Sequence, residues 1–226
     1  MASFFNLTLD TTAPSNVTLA IEGGAAYASQ QLVNLTIGTS DGVTTGYQML
    51  IWGDVDTTYD ANVQTLEGSS AWITYATSKQ IKLSTGDASK TIYIKVRDDV
   101  YNPSGQASDS IILDTTVPVV TIAGPDLSKI SKQSGKNVSA FSFSVDTIFE
   151  EYKVKVVSSS GAAHDVGAQI GTASGSTNMS GSAGGYPAST PINCQINGTD
   201  LETASNGDGV KIIKVFVLEG SGSWSV

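Results

Sequence analysis

The chain has 226 residues, a length that suits two small domains with a core each better than one sandwich. Its formal charge is −9 with 12 Lys and Arg in all, too few cations to neutralise a phosphate backbone, so neither nucleic acid nor an anionic membrane is expected as a partner. Charged residues make up only 15%, the polar share falls mainly on Ser, Thr, Asn and Gly, and that composition favours strands and turns over helices.

The N-terminal MASFFNLTLD carries apolar side chains at Phe4, Phe5, Leu7 and Leu9 and predicts a strand over residues 3–9. It has neither the basic start nor the continuous apolar run of a signal peptide, and no segment reaches the length of a transmembrane helix, so a soluble chain that is not exported is expected. Period-two alternation and β-branched enrichment predict further strands over 16–21, 32–37, 47–52, 79–83, 91–97 and 109–113, separated by turn clusters such as Ser40-Asp41-Gly42 and Thr85-Gly86-Asp87. The same pattern marks 119–122, 140–145, 152–157, 192–196 and 211–218. No segment sustains a helical period, although residues 146–151 have room for one short turn. Residues 158–191 are rich in Ser, Gly and Ala with almost no bulky apolar side chain, which predicts a long surface excursion. The single cysteine, Cys194, excludes an internal disulfide and a cysteine-built zinc cage and fits a reducing compartment. Six Asn-x-Ser/Thr sequons begin at Asn6, Asn16, Asn34, Asn137, Asn178 and Asn197; without an export signal they read as strand composition and not as glycan sites.

An internal repeat organises these elements. Leu9-Asp10-Thr11-Thr12-Ala13-Pro14 recurs 104 residues later as Leu113-Asp114-Thr115-Thr116-Val117-Pro118, a spacing equal to one sandwich domain. Asp87 and Lys90, leading into an Ile-Tyr-Ile-Lys-Val strand, recur 121 residues later as Asp208 and Lys211 before Ile-Lys-Val-Phe-Val. The larger second offset places an insertion in the second copy. The predicted architecture is all-β: two tandem sandwich domains, 1–117 with the N-terminal strand 3–9, and 118–226 with the insertion 158–191.

The strand ending in LDTTAP, the Gly-Asp-x-x-Lys turn, the IKVRD strand and the following Asn102-Pro103-Ser104 resemble the tandem immunoglobulin-like repeats of bacteria and phages. In those repeats a DTTAP linker opens each domain and the penultimate strand ends in a D-x-x-G-N-x-S turn. The second copy departs from this pattern, with Ser223 where the Asn would fall. The whole chain, including GYQMLIWGDVD over 46–56, is similar to immunoglobulin-like virion proteins of tailed phages. That resemblance implies a structural role in a capsid, tail or baseplate, contact with other virion proteins, a homo-oligomer in the particle, and assembly in the host cytoplasm. A module of a phage tail or bacterial surface that binds host-surface carbohydrate or mediates adhesion is the alternative.

Residues with chemical potential favour no reaction. The one histidine, His164, lies in the Ser/Gly-rich insertion, where a catalytic base would lack support. Asp98-Asp99 would point to opposite faces of a strand, and Asp54 with Asp56 falls in a loop, so neither pair is set up for glycoside hydrolysis. Asp54, Asp56, Asp60 and Asn62 form an acidic loop whose oxygens could gather around Ca²⁺, although it lacks the EF-hand glycine and distal glutamate; an ordinary Asp-rich turn is the plainer reading. Tyr47, Trp52, Tyr59, Trp72 and Tyr75 could stack on a sugar, but packing in the core or between loops is the favoured reading. No catalytic residue and no cofactor is expected.

The two copies differ at their ends. The first has a strand, 109–113, after the IKVRD turn; the second reaches Val226 just past the matching turn, so it is expected to lack that last strand, whose pattern residues 3–9 share. Phe4, Phe5, Leu7 and Leu9 are therefore candidates for a strand donated to another subunit. The other two readings are that 3–9 joins its own first domain, or that the insertion supplies the missing strand.

Overall fold

In the computed structural model, which describes residues 3–226, alternation in sequence becomes alternation across the pleat: Val33, Leu35 and Ile37 are buried while Asn34 and Thr36 face water. The chain divides between Thr115 and Thr116 into two compact units with separate hydrophobic cores. The boundary expected from the repeat lies two residues later, and residues 1 and 2 of the expected first domain fall outside the described residues.

The first unit contains β1 (Thr18–Ile21), β2 (Tyr27–Ala28), β3 (Leu32–Gly38), β4 (Gln48–Gly53), β5 (Ile73–Thr74), β6 (Ser78–Lys82), β7 (Ala88–Arg97) and β8 (Ala107–Leu113). One sheet has the order β1-β3-β6 and the other β2-β8-β7-β4-β5; every pairing is antiparallel except β2 with β8. Ile21, Val33, Leu35, Ile37 and Ile81 from the first sheet meet Met49, Ile51, Ile92, Ile94 and Ile111 from the second in one core. Burying each such side chain contributes roughly 1.5–3 kcal/mol before the cost of ordering the chain.

The second unit contains β9 (Val120–Ala123), β10 (Val138–Val145), β11 (Glu151–Val157), β12 (Ala168–Gln169), β13 (Ser180–Gly181), β14 (Ile192–Asn197), α1 (Gly198–Ala204) and β15 (Ile212–Leu218). Its sheets are β9-β10-β14 and a second in which β11 carries β15 on one edge and both β12 and β13 on the other. Two facing sheets with this order and a shared core make each unit an immunoglobulin-like β-sandwich.

Three expectations need correction. The insertion is not a detached excursion, because Ala162, Ile170, Ser176 and Met179 within it are buried, and Ile170 and Met179 enter the core beside Val154 and Phe143. The Gln169 amide bonds the carbonyls of Val154, Ile170 and Met179, so a polar side chain ties this stretch to β11. Gly181 is required here: a Cβ would run into the Tyr186 hydroxyl and the Tyr152 ring. The helical turn forms at α1 and not within 146–151, since Asn197 caps it by accepting from the Thr199 N–H at 2.9 Å. Finally, 3–9 forms no strand with its own first unit.

Candidate functional site

The turn after the penultimate strand is built the same way in both units, which fixes their correspondence atom by atom. In the first unit the Ser104 hydroxyl accepts from Val96 N–H at 3.0 Å, and Ser104 N–H donates to Val96 C=O at 2.7 Å. In the second, Ser225 treats Val217 identically, at 3.0 and 2.9 Å, again 121 residues on. Asp98 N–H donates to Asn102 C=O as Glu219 N–H donates to Ser223 C=O. The Asn of the repeat pattern is replaced, yet the turn survives because its main-chain bonds do not depend on that side chain. The likeness extends to the start of the strand, where Lys90 Nζ donates to Thr85 C=O and Lys211 Nζ to Asn206 C=O, both at 3.0 Å. β15 is therefore the counterpart of β7.

β7 is flanked by β4 and β8, whereas β15 has β11 as its one partner strand among the described residues, with a single further bridge from Leu218 to Trp224 in the turn. Since Val217 turns its N–H and C=O toward Ser225, alternation directs those of Val215 and Ile213 to the same unpaired edge. Beside that edge lies a groove of about 540 Å³ lined by Leu127, Ile130, Ile196, Leu201, Val210 and Ile213. Lys90, paired with Ile111 of β8, is buried; Lys211 is partly exposed.

Among the described residues of the first unit, the four most exposed large apolar side chains lie in one segment. Phe4, Phe5, Leu7 and Leu9 are 90, 86, 85 and 86% exposed, and residues 3–9 make no strand pairing among the described residues. Their C-terminal end is fixed: Asp10 C=O accepts from Asn102 Nδ2 at 3.2 Å, and Pro14 is buried.

The remaining candidates are engaged in holding the fold. In the acidic loop, Asp54 accepts from Thr91 N–H at 2.8 Å, Asp56 pairs with Lys82 at 2.8 Å, and Asp60 pairs with Lys79 at 2.7 Å. Asn62 donates to Asp60. The Lys82 ammonium and the Thr58 hydroxyl hold the Asp56 carboxyl down at about 2. Each carboxylate thus faces its own cation or N–H, and no three His, Cys, Asp or Glu converge on one point among the described residues. Asp98 is buried inside its turn, accepting from Asn102 and Val100, while Asp99 faces solvent.

His164 is not the loose loop residue its neighbours predict. Its ring stacks on Trp224 at 4.5 Å, nearly parallel, and Lys153 sits over the same indole at 4.6 Å. The five aromatic candidates do not share a face. Tyr47 and Tyr75 meet edge-to-face and pack, partly buried, against the core, Trp52 stacks on Tyr93, Tyr59 bonds Gln80, and Trp72 covers the Arg97 guanidinium. Burial pushes the Cys194 thiol up to about 12, leaving it protonated and inert near neutrality. Sequence reasoning missed Asp200, buried at the start of α1. It accepts from the N–H groups of Ser174 and Ser176 at 2.8 and 3.0 Å and so anchors the insertion; the capping Asn197 is the signal that marks this position.

No known protein family and no curated protein matches the chain. Among solved structures, it is similar to the fibronectin(III)-like modules of Clostridium thermocellum CbhA, at 10% identity over 92% of this chain and 89% of that one, with a TM-score of 0.48. A marsupial T cell receptor gives 13%, 93%, 73% and 0.44 on the same measures. The FN1–FN3 domains of chicken CNTN1 give 14%, 95%, 62% and 0.36. Likenesses this distant carry nothing about what the chain does.

Proposed function

We propose that this chain is a non-enzymatic architectural protein that works through protein–protein contacts at strand edges, without a metal or cofactor. The observation that carries the reading is the pairing of an open, groove-flanked edge on β15 with a run of solvent-exposed apolar side chains at Phe4, Phe5, Leu7 and Leu9. Exposed apolar stripes and unpaired edges are costly in water and are retained where another chain covers them. The engagement of Asp54, Asp56, Asp60, Asp98 and His164 in ion pairs, turns and stacking supports a role without catalysis.

The finer reading is an accessory protein of a tailed-phage virion, contacting other virion proteins and assembled in the host cytoplasm. It draws on the sequence resemblance of the LDTTAP linkers and the 46–56 stretch. Particles from the source lysate, separated on a density gradient and probed with antibody against this chain, are expected to carry it in the particle band. Recovery in the soluble fraction alone would sink the virion assignment, and turnover of any polysaccharide by the purified chain would sink the architectural one.

A further inference from the structure

We propose that the open edge of β15 takes residues 3–9 of a second copy of this chain as an added antiparallel strand, in the register that β8 has on β7. This names the partner for the contact reading above and rests on it.

The register follows from two correspondences already drawn. Residues 3–9 align with β8 at an offset of 104, and β15 aligns with β7 at 121. In the first unit Leu113 lies opposite Ala88, Ile111 opposite Lys90 and Asp109 opposite Ile92. Transferred, Leu9 lies opposite Gly209, Leu7 opposite Lys211 and Phe5 opposite Ile213. Along β8 the inward residues are Ile111 and Leu113, each 1% exposed, while Ser108, Ser110 and Ile112 face out. The donated segment reproduces that alternation, with Leu7 and Leu9 inward and Asn6 and Thr8 outward. The groove beside Val210 and Ile213 is where those two leucines arrive, and it is bounded by residues 127–130 much as β8 is bounded by β2. Phe5 departs from its counterpart Asp109, which bonds Ile21 N–H, but an apolar ring suits a position facing Ile213.

The length of the tether fits a second copy. Asp10 is held by Asn102 at the β7–β8 turn, whereas the chain leaves the first unit from Leu113 at the far end of β8, about 20 Å away for a strand of that length. Leu9 precedes the buried Pro14 by as many residues as Leu113 precedes the buried Pro118. A segment seated in a neighbour's second unit is thus joined to its own first unit by a link of the same length as the one inside the chain, differing from it only by Ala13 in place of Val117.

A disulfide tests the register directly. In the first unit the Thr91 and Ser110 hydroxyls, a directly opposed pair, lie 2.8 Å apart. Their counterparts are Ile212 and Asn6, which form a non-hydrogen-bonded pair with Cα atoms about 4.5 Å apart, within disulfide reach. Chains carrying Asn6→Cys and Ile212→Cys are mixed, oxidised mildly and analysed by non-reducing gel and mass spectrometry; the buried Cys194 does not compete. The expected result is a heterodisulfide several-fold above that formed by Asn6→Cys with a Val43→Cys control, falling to the control level when Leu7→Asp and Leu9→Asp are added to the donor. A yield no higher than the control overturns the proposal, as does a single chain carrying both cysteines that closes on itself as a monomer. Failure here with the chain still in the particle band removes the strand exchange and leaves the contact reading standing.

Discussion

At Val96 and Val217 one serine hydroxyl does the work that a neighbouring strand does elsewhere: it accepts from a buried main-chain N–H at the point where pairing stops. Removing that oxygen leaves the N–H without a partner, at a cost of about 1–3 kcal/mol. Ser225→Ala is therefore expected to lower the stability of the second unit by that amount while leaving the first unit unchanged, measured by urea unfolding read at Trp224. Ser104→Ala mirrors it in the first unit. The two turns differ at their left-handed residue, Tyr101 at φ 71° against Gly222 at φ 88°. Glycine takes that conformation without strain, whereas Tyr101 is accommodated with its ring against the Arg97 guanidinium at 4.3 Å.

At the scale of elements, the insertion is where composition misleads. Ile170 and Met179 are isolated apolar residues in a field of Ser and Gly, and periodicity cannot flag one buried side chain at a time. The two-residue strands β2, β5, β12 and β13 are too short to show a period at all, and α1 is a single capped helix of seven residues. Among the described residues the eleven longer strands were legible from β-branched runs, with clean alternation in β3, β7 and β8 and continuous apolar runs in β4 and β15, and the repeat was legible because LDTTAP and LDTTVP hold the same place in two sandwiches. Of the candidate site, the exposed segment could be read from Phe4, Phe5, Leu7 and Leu9; the groove could not, since Leu127, Ile196 and Leu201 meet beside Ile213 only once the unit has folded. If the insertion is part of the core, Met179→Ala should cost about 2–5 kcal/mol, as for any large side chain removed from a packed interior. A change below about 0.5 kcal/mol in thermal or urea unfolding, the scale of a surface substitution, would return the insertion to the status of a loose loop.

For the whole molecule, a donor on the first unit and an acceptor on the second make a heterologous contact, and repeating such a contact yields a ring if the rotation closes and a filament if it does not. The two halves of the contact can be disabled separately. Leu7→Asp with Leu9→Asp spoils the donor at side chains 85 and 86% exposed, and Leu127→Asp places a charge in the groove at a residue already 40% exposed. A chain of either kind can still join an intact partner once, so it caps a growing assembly instead of extending it. Each variant alone should sediment as a monomer, intact chains should form assemblies whose mean length grows with concentration or closes at one ring size, and doping them with the donor-defective chain should shorten that length. Mixing the two defective chains is the sharper test: one retains a donor, the other an acceptor, so they should form a one-to-one heterodimer and stop. Sedimentation velocity that finds only monomers in this mixture would show that the exposed segment and the open edge are not partners for each other.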